Sequence, residues 1–253
     1  MSDTVWDNET VRGFFDENEA RVGGGSSVDF MKLTSTENVF RLIPHPTQAP
    51  FQMIKRHQFS SQGRYTPTLD WQFLLDPANR AVLEAANEMG NISQEDVELA
   101  QEKGDPFTRF AVALKNAGIK TEKSFFPSTR YLWRVLALGE NQIRVYDSSK
   151  TFMNQVSDLV KAGWELFHPE NGCNISYRGN GQEGLARRYN SPIPEKDGSP
   201  IPLDDWEEAA REIDLVKVAA RNARPWKDKA RALFESNEAL LSDVGITRES
   251  WDL

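Results

Sequence analysis

A chain of 253 residues is long enough to bury a substantial core, and a mix of 39% hydrophobic and 27% charged residues is ordinary for a globular protein. It has no run of about 18 apolar residues, so no membrane span is expected, and a single cysteine, Cys173, excludes a disulfide framework and a Cys-based zinc site within one chain. The net charge of −8, taken alone, argues against nucleic acid.

The start, Met1 to Asp7, is acidic with no apolar run behind it. That is not a signal-peptide pattern, so a cytosolic compartment is expected. Val5, Trp6, Val11, Phe14 and Phe15 are set among acids, and Gly23-Gly24-Gly25-Ser26-Ser27 then reads as a flexible linker. Residues 1–36 are therefore expected to form an acidic arm.

Strand candidates begin with Asn38–Ile43, which stops at Pro44, and Phe51–Phe59. Asp76-Pro77 supplies an N-cap and a first-turn proline for a helix running to Gly90. Ser93 to Asp96 is an approximate capping box, and Asp105-Pro106 opens a third helix ending near Gly118. Together these make a helical insertion over 76–119. Its packing candidates are Val82, Leu83, Phe107, Phe110, Ala111 and Leu114.

Thr129–Leu138 and Gln142–Asp147 follow as strands joined by a hairpin-length loop. Ser148 or Ser149 caps a helix with Phe152, Val156, Leu159 and Val160 on one face, ended by Gly163. Cys173–Gly179 is the fifth strand candidate. Residues 191–202 read as loop. Asp204 or Asp205 opens a long helix carrying Trp206, Ala209, Ala210, Ile213, Val216 and Ala220 on one stripe, and Pro225 restarts helix to about Leu241. The expected fold is α+β: an OB-type β-barrel core over 37–190 with the helical insertion, then an acidic C-terminal helical region over 191–253.

Charge segregates with element type. Residues 38–66 hold four basic and no acidic groups, and residues 120–190 hold ten against seven. Residues 1–37, 67–119 and 191–253 each carry −5. The strand-rich blocks are thus the positive ones. Period-2 alternation places Tyr131, Trp133 and Val135 on one face of their strand and Arg130 and Arg134 on the other, with Leu132 and Leu136. Arg144 and Tyr146 share a face opposite Ile143 and Val145, and Tyr177 is opposite Arg178. Arg187-Arg188-Tyr189 follows the fifth strand.

Single-stranded nucleic acid needs this combination. Its phosphates take Lys and Arg, and its unpaired bases stack on rings, at ~1–3 kcal/mol per base. No helix is basic along one side, which disfavours major-groove reading. The candidate contacts are Lys55, Arg56, Phe59, Arg64, Tyr65, Arg130, Tyr131, Trp133, Arg134, Arg144, Tyr146, Lys150, Tyr177, Arg178, Arg187, Arg188 and Tyr189. Strand aromatics equally suit a core, and Trp133 fits either role.

Several pieces, in this order, resemble the T4-type phage helix-destabilising single-stranded-DNA-binding proteins. They are Arg41-Leu42-Ile43-Pro44, Ala49-Pro50-Phe51, His57-Gln58-Phe59, the run Pro127 to Leu136, the run Ile143 to Lys150, Asn171 to Tyr177, and Arg188-Tyr189-Asn190-Ser191. The resemblance covers about residues 38–194. It implies an OB-type core, a basic aromatic cleft for single-stranded DNA, and an acidic C-terminal region for replisome or recombination proteins. It also implies roles in phage DNA replication, recombination and repair in the cytoplasm of an infected bacterium. Two departures stand out. The family commonly holds zinc through one His and three Cys, with a Cys-Pro-x-Cys-like element among them. Here His57 stands in the His position, but Asp76-Pro77-Ala78-Asn79 replaces the cysteines, so no metal is expected. The family's arm is basic, whereas this one is acidic, so its mode of cooperativity does not carry over.

Other constellations are weaker. His168 has no second ligand near it in sequence, and Asp204-Asp205 with Glu207-Glu208 suits a helix N-terminus as well as a divalent ion. Gly179 to Gly184 reads as a mobile loop. No nucleophile–base pair and no phosphate-binding glycine loop is readable, so no enzyme and no cofactor are expected. The alternative reading is an acidic protein–protein adaptor with an OB-like core.

Overall fold

The computed structural model describes residues 29–61, 64–118, 126–182, 188–223 and 226–236, with 238 and 242. Among these the strands are β1 (Glu37–Leu42), β2 (Phe51–Ser61), β3 (Arg64–Leu69), β4 (Ser128–Ala137), β5 (Ile143–Ser149), β6 (Ile175–Arg178) and β7 (Ile193–Pro194). They form one antiparallel seven-stranded sheet in the order β3-β2-β4-β1-β6-β7, with β5 paired to β4 off that path. The helices are α1 (Trp71–Leu75), α2 (Arg80–Glu88), α3 (Gln94–Lys103), α4 (Pro106–Asn116), α5 (Lys150–Lys161), α6 (Trp206–Glu212), α7 (Leu215–Ala220) and α8 (Trp226–Ser236). The fold is mixed α+β, and the pairings among the described residues do not close the sheet into a barrel.

The chain divides into two compact units, which in their described parts hold residues 29–53 with 130–215, and 54–129 with 216–242. This division does not follow the expected boundaries. The expected core, 37–190, contributes to both units, and so does the C-terminal region.

In the first unit, β4 and β5 pair in register from Arg130↔Ser149 to Leu136↔Ile143. Directly opposed residues share a face, so Tyr131, Trp133, Val135, Tyr146 and Ser148 lie together. The Trp133 indole N–H donates to Ser148 Oγ at 2.8 Å. Helix α5 covers this face because Phe152, Val156 and Val160 recur at helical spacing and are all buried. The Phe152 ring meets Trp133 and Tyr146 edge-on, with centroids 5.8 and 5.2 Å away. Burying a side chain of this kind contributes roughly 1.5–3 kcal/mol. Ser149 is the N-cap, its Oγ accepting from the Phe152 amide.

The opposite face carries Leu132, Leu136 and two fully buried arginines. Arg41 donates to the carbonyls of Gly172, His168 (2.9 Å) and Ser199 (2.8 Å). Arg134 donates to the carbonyls of Ile213 (2.9 Å) and Ala49 (3.4 Å) and to Gln48 Oε1. Burial pushes the Arg134 guanidinium down to about 9, opposed by Asp214. The long helix expected from Asp204 is broken at Ile213 and Asp214. The break frees the Ile213 carbonyl to serve Arg134, so a tertiary hydrogen bond overrides an unbroken apolar stripe.

In the second unit, β2 and β3 form a hairpin paired from Arg56↔Leu69 to Ser61↔Arg64. The sequence reading missed β3 because Pro67 lies inside it. An edge strand tolerates that proline, and β3 ends the sheet order. Helix starts follow their caps. Asp70 accepts from the Phe73 amide and Asp105 from the Thr108 amide, and Ser93 and Asp96 complete a reciprocal capping box. Of the expected packing set, Val82, Phe107, Phe110 and Ala111 are buried. Leu83 is half-buried, and the Leu114 side chain lies outside what is described. The C-terminal helices complete this core: Trp226 packs edge-on to Trp71 at 5.1 Å, and Lys227 pairs with Asp96 at 2.6 Å.

Two predictions follow from the first unit's packing. A Cβ on Gly172 would stand 2.6 Å from the Arg41 guanidinium and 2.4 Å from the His168 carbonyl oxygen. Gly172→Ala is therefore expected to cost roughly 1–3 kcal/mol in urea unfolding. The second concerns His45, whose buried Nδ1 accepts from the Thr47 and Gln48 amides at 3.1 and 3.0 Å. Burial, with Arg134 and Arg211 nearby, lowers it to about 4. The unfolded chain then binds the extra proton first as pH falls. Stability present above pH ~6.5 should be lost down to about pH 4, by up to roughly 3 kcal/mol. His45→Asn should flatten that part of the profile.

Candidate nucleic-acid interface

The structure sorts the candidate contacts into three groups. Tyr131, Trp133, Arg134, Tyr146 and Tyr177 are buried. The expected alternation holds, but the ring-bearing face is the one that α5 covers. These rings therefore take the core role of the two that the sequence left open. Burial raises the Tyr146 and Tyr177 hydroxyls above the ordinary tyrosine value. Arg134 departs from the expected phosphate role, because its donors are turned inward to loop acceptors.

The second group is accessible and internally paired. Arg130 donates to Asp147 Oδ1 at 2.8 Å. Arg144 pairs with Glu140 at 2.8 Å and Asp29 at 3.6 Å. Arg178, 60% exposed, pairs with Glu37 at 2.7 Å. Hydrogen bonds from Ser176 and Arg178 hold the Glu37 carboxyl below the ordinary carboxylate value. Lys150 is exposed in the first turn of α5, and Lys55 and Arg56 are half-buried on β2 in the second unit.

The third group gathers at the end of β6. A bridge pairs Gly179 with Tyr189, and Asn190 and Asn180 donate their amides to the Arg178 and Arg188 carbonyls at 2.9 Å each. Arg178 and Arg188 are both exposed. Tyr189 is half-buried and stacks on Tyr177, with centroids 4.9 Å apart and planes within 18°. Its hydroxyl donates to the Thr34 carbonyl at 3.0 Å, which fixes the ring. Gly179 is required here, since a Cβ would stand 2.2 Å from the Ser35 carbonyl oxygen. The side chains of Phe59, Arg64 and Tyr65 lie outside what is described, and Arg187 is outside the described residues.

The remaining constellations resolve simply. Asp204, Asp205, Glu207 and Glu208 are exposed at the start of α6, and Glu207 pairs with Arg211 at 2.9 Å. His168 Nδ1 accepts from the Glu170 and Asn171 amides, shaping the loop whose carbonyls hold Arg41. The cysteine zinc set that the resemblance implies does not fit. Cys173 is buried in the first unit's core, and Asp76 caps the turn Pro77–Asn79. The sequence reading missed a grouping of His57 with Asp70 and Asp105. Asp105 was legible only as a helix cap, and no spacing rule joins it to His57.

Neither a protein-family model nor a curated protein matches this chain.

If Trp133 is a core residue, its replacement must cost stability. Trp133→Phe removes the hydrogen bond to Ser148 and part of the packing on Phe51 and Phe167. The expected loss in urea unfolding is roughly 1–3 kcal/mol. An exposed stacking platform would tolerate the same change almost without cost.

Proposed function

We propose that the chain is a sequence-tolerant single-stranded-DNA-binding protein of phage DNA replication, recombination and repair, built on an OB-type core. The observation that carries this reading is the group at the end of β6, where the fixed, half-buried Tyr189 ring stacks on Tyr177 and is flanked in the paired segments by the exposed Arg178 and Arg188. The ordered sequence pieces over about residues 38–194 support it independently.

In this reading Tyr189 offers its remaining ring surface to a base, backed by Tyr177. Arg178, Arg188 and Lys150 take phosphates. Arg178 must leave Glu37 to do so, and Arg130 and Arg144 likewise exchange an internal carboxylate for a phosphate. Such exchange keeps charge balanced at each position and makes binding modest and salt-sensitive. The buried rings of β4 and β5 hold the strands in register and touch no DNA. The acidic C-terminal region serves replisome or recombination partners.

A second reading, an acidic protein–protein adaptor, is favoured by a separate observation. Arg130, Arg144 and Arg178 are already satisfied by carboxylates, and Ile193 is 58% exposed on β7 at the end of the sheet order. Such an edge suits strand addition by a peptide.

Fluorescence anisotropy of labelled oligo-dT at low and moderate salt separates the two. Binding that weakens with salt is expected. Tyr189→Ala should weaken it roughly 5- to 150-fold, following ~1–3 kcal/mol per stacked base. Arg188→Ala should lower the salt slope by about 0.7. A chain that binds no oligo-dT at low salt would sink the DNA reading.

A further inference from the structure

His57 of β2, Asp70 at the N-cap of α1 and Asp105 at the N-cap of α4 meet inside the second unit, each at most 3% exposed. His57 Nε2 lies 3.2 Å from Asp105 Oδ1 and 3.4 Å from Asp70 Oδ2. The three ligand atoms all fall within 4.8 Å of one another.

Both separations are longer than the about 2.7–2.9 Å of a charge-assisted N–H···O bond. Ligands on a tetrahedral ion with bonds of about 2.0–2.2 Å stand about 3.3–3.6 Å apart, close to the values here.

The carboxylates are also held as metal ligands must be. Asp70 Oδ1 accepts from the Phe73 amide at 2.8 Å, and Asp105 accepts from the Trp71 and Thr108 amides, both at 2.8 Å. These bonds fix the orientation of each group. The imidazole packs on Phe107, with centroids 5.4 Å apart. The Thr108 hydroxyl donates to Asp70 Oδ2 at 3.5 Å.

We propose that His57, Asp70 and Asp105 form a structural site for one divalent transition-metal ion of zinc's size. The ion would tie β2 to the N-termini of α1 and α4. One nitrogen and few oxygens suit zinc, whereas calcium takes six to eight oxygens.

The test uses the full chain, stripped with a chelator and dialysed. Zinc and calcium are titrated by calorimetry, cobalt by visible absorption, and thermal unfolding is followed with and without each. The expected result is one zinc per chain, a Tm raised by several degrees, tetrahedral cobalt bands, and no response to calcium. Asp70→Asn and Asp105→Asn keep a capping oxygen, so they should fold, as far-UV circular dichroism will report, and lose the zinc response. His168→Asn should keep it. The proposal is overturned if the unaltered chain takes up no zinc, or if both Asn variants bind zinc as tightly as it does. A Tm that follows pH but ignores zinc would also overturn it, assigning the contact to a proton.

Discussion

Two guanidinium groups buried on one face of the sheet constrain much of the first unit. Among the described residues neither Arg41 nor Arg134 has a carboxylate within salt-bridge distance, and the donors named above go to carbonyl and amide oxygens. A buried charge without such partners is prohibitively costly. The loops must therefore deliver their oxygens accurately. The loop before β6 brings the His168 and Gly172 carbonyls, and the segment after β7 brings that of Ser199. The turn after Pro44 brings Gln48 and Ala49, shaped by the neutral His45 ring. The chain after α6 leaves helix to present Ile213. Connections without regular structure are thereby tied to the sheet by side-chain hydrogen bonds.

The accessible arginines obey a different economy. Arg130, Arg144 and Arg178 each sit beside a carboxylate at the surface, where a pair contributes little to stability and exchanges readily. Arg130 and Arg144 project from opposite faces of the β4–β5 pair, so each of these ion pairs is a separate surface contact.

The second unit uses carboxylates as its organisers. Asp70, Asp76, Asp105 and the Ser93–Asp96 box each start a helical segment. Asp70 and Asp105 do more, converging with His57 in the interior, while Asp96 takes up Lys227 from α8. A short-range capping signal thus becomes a long-range contact once the chain has folded.

Local chemistry decided much of this protein in advance. Alternation and β-branched or aromatic content marked β1, β2, β4, β5 and β6, because each is a run of neighbouring residues obeying a period of two. Caps and first-turn prolines marked α2 to α5, because a cap acts within three residues. Resemblance in ordered short pieces suggested a family and a ligand. Tertiary structure alone decided which sheet face is dry, since alternation separates two faces without saying which one a helix will cover. That choice sent Tyr131, Trp133 and Tyr146 inward and left Tyr189 at the edge. It also decided the break after α6 and the meeting of His57 with Asp70 and Asp105. Both depend on groups dozens of residues apart in sequence, which no local pattern records.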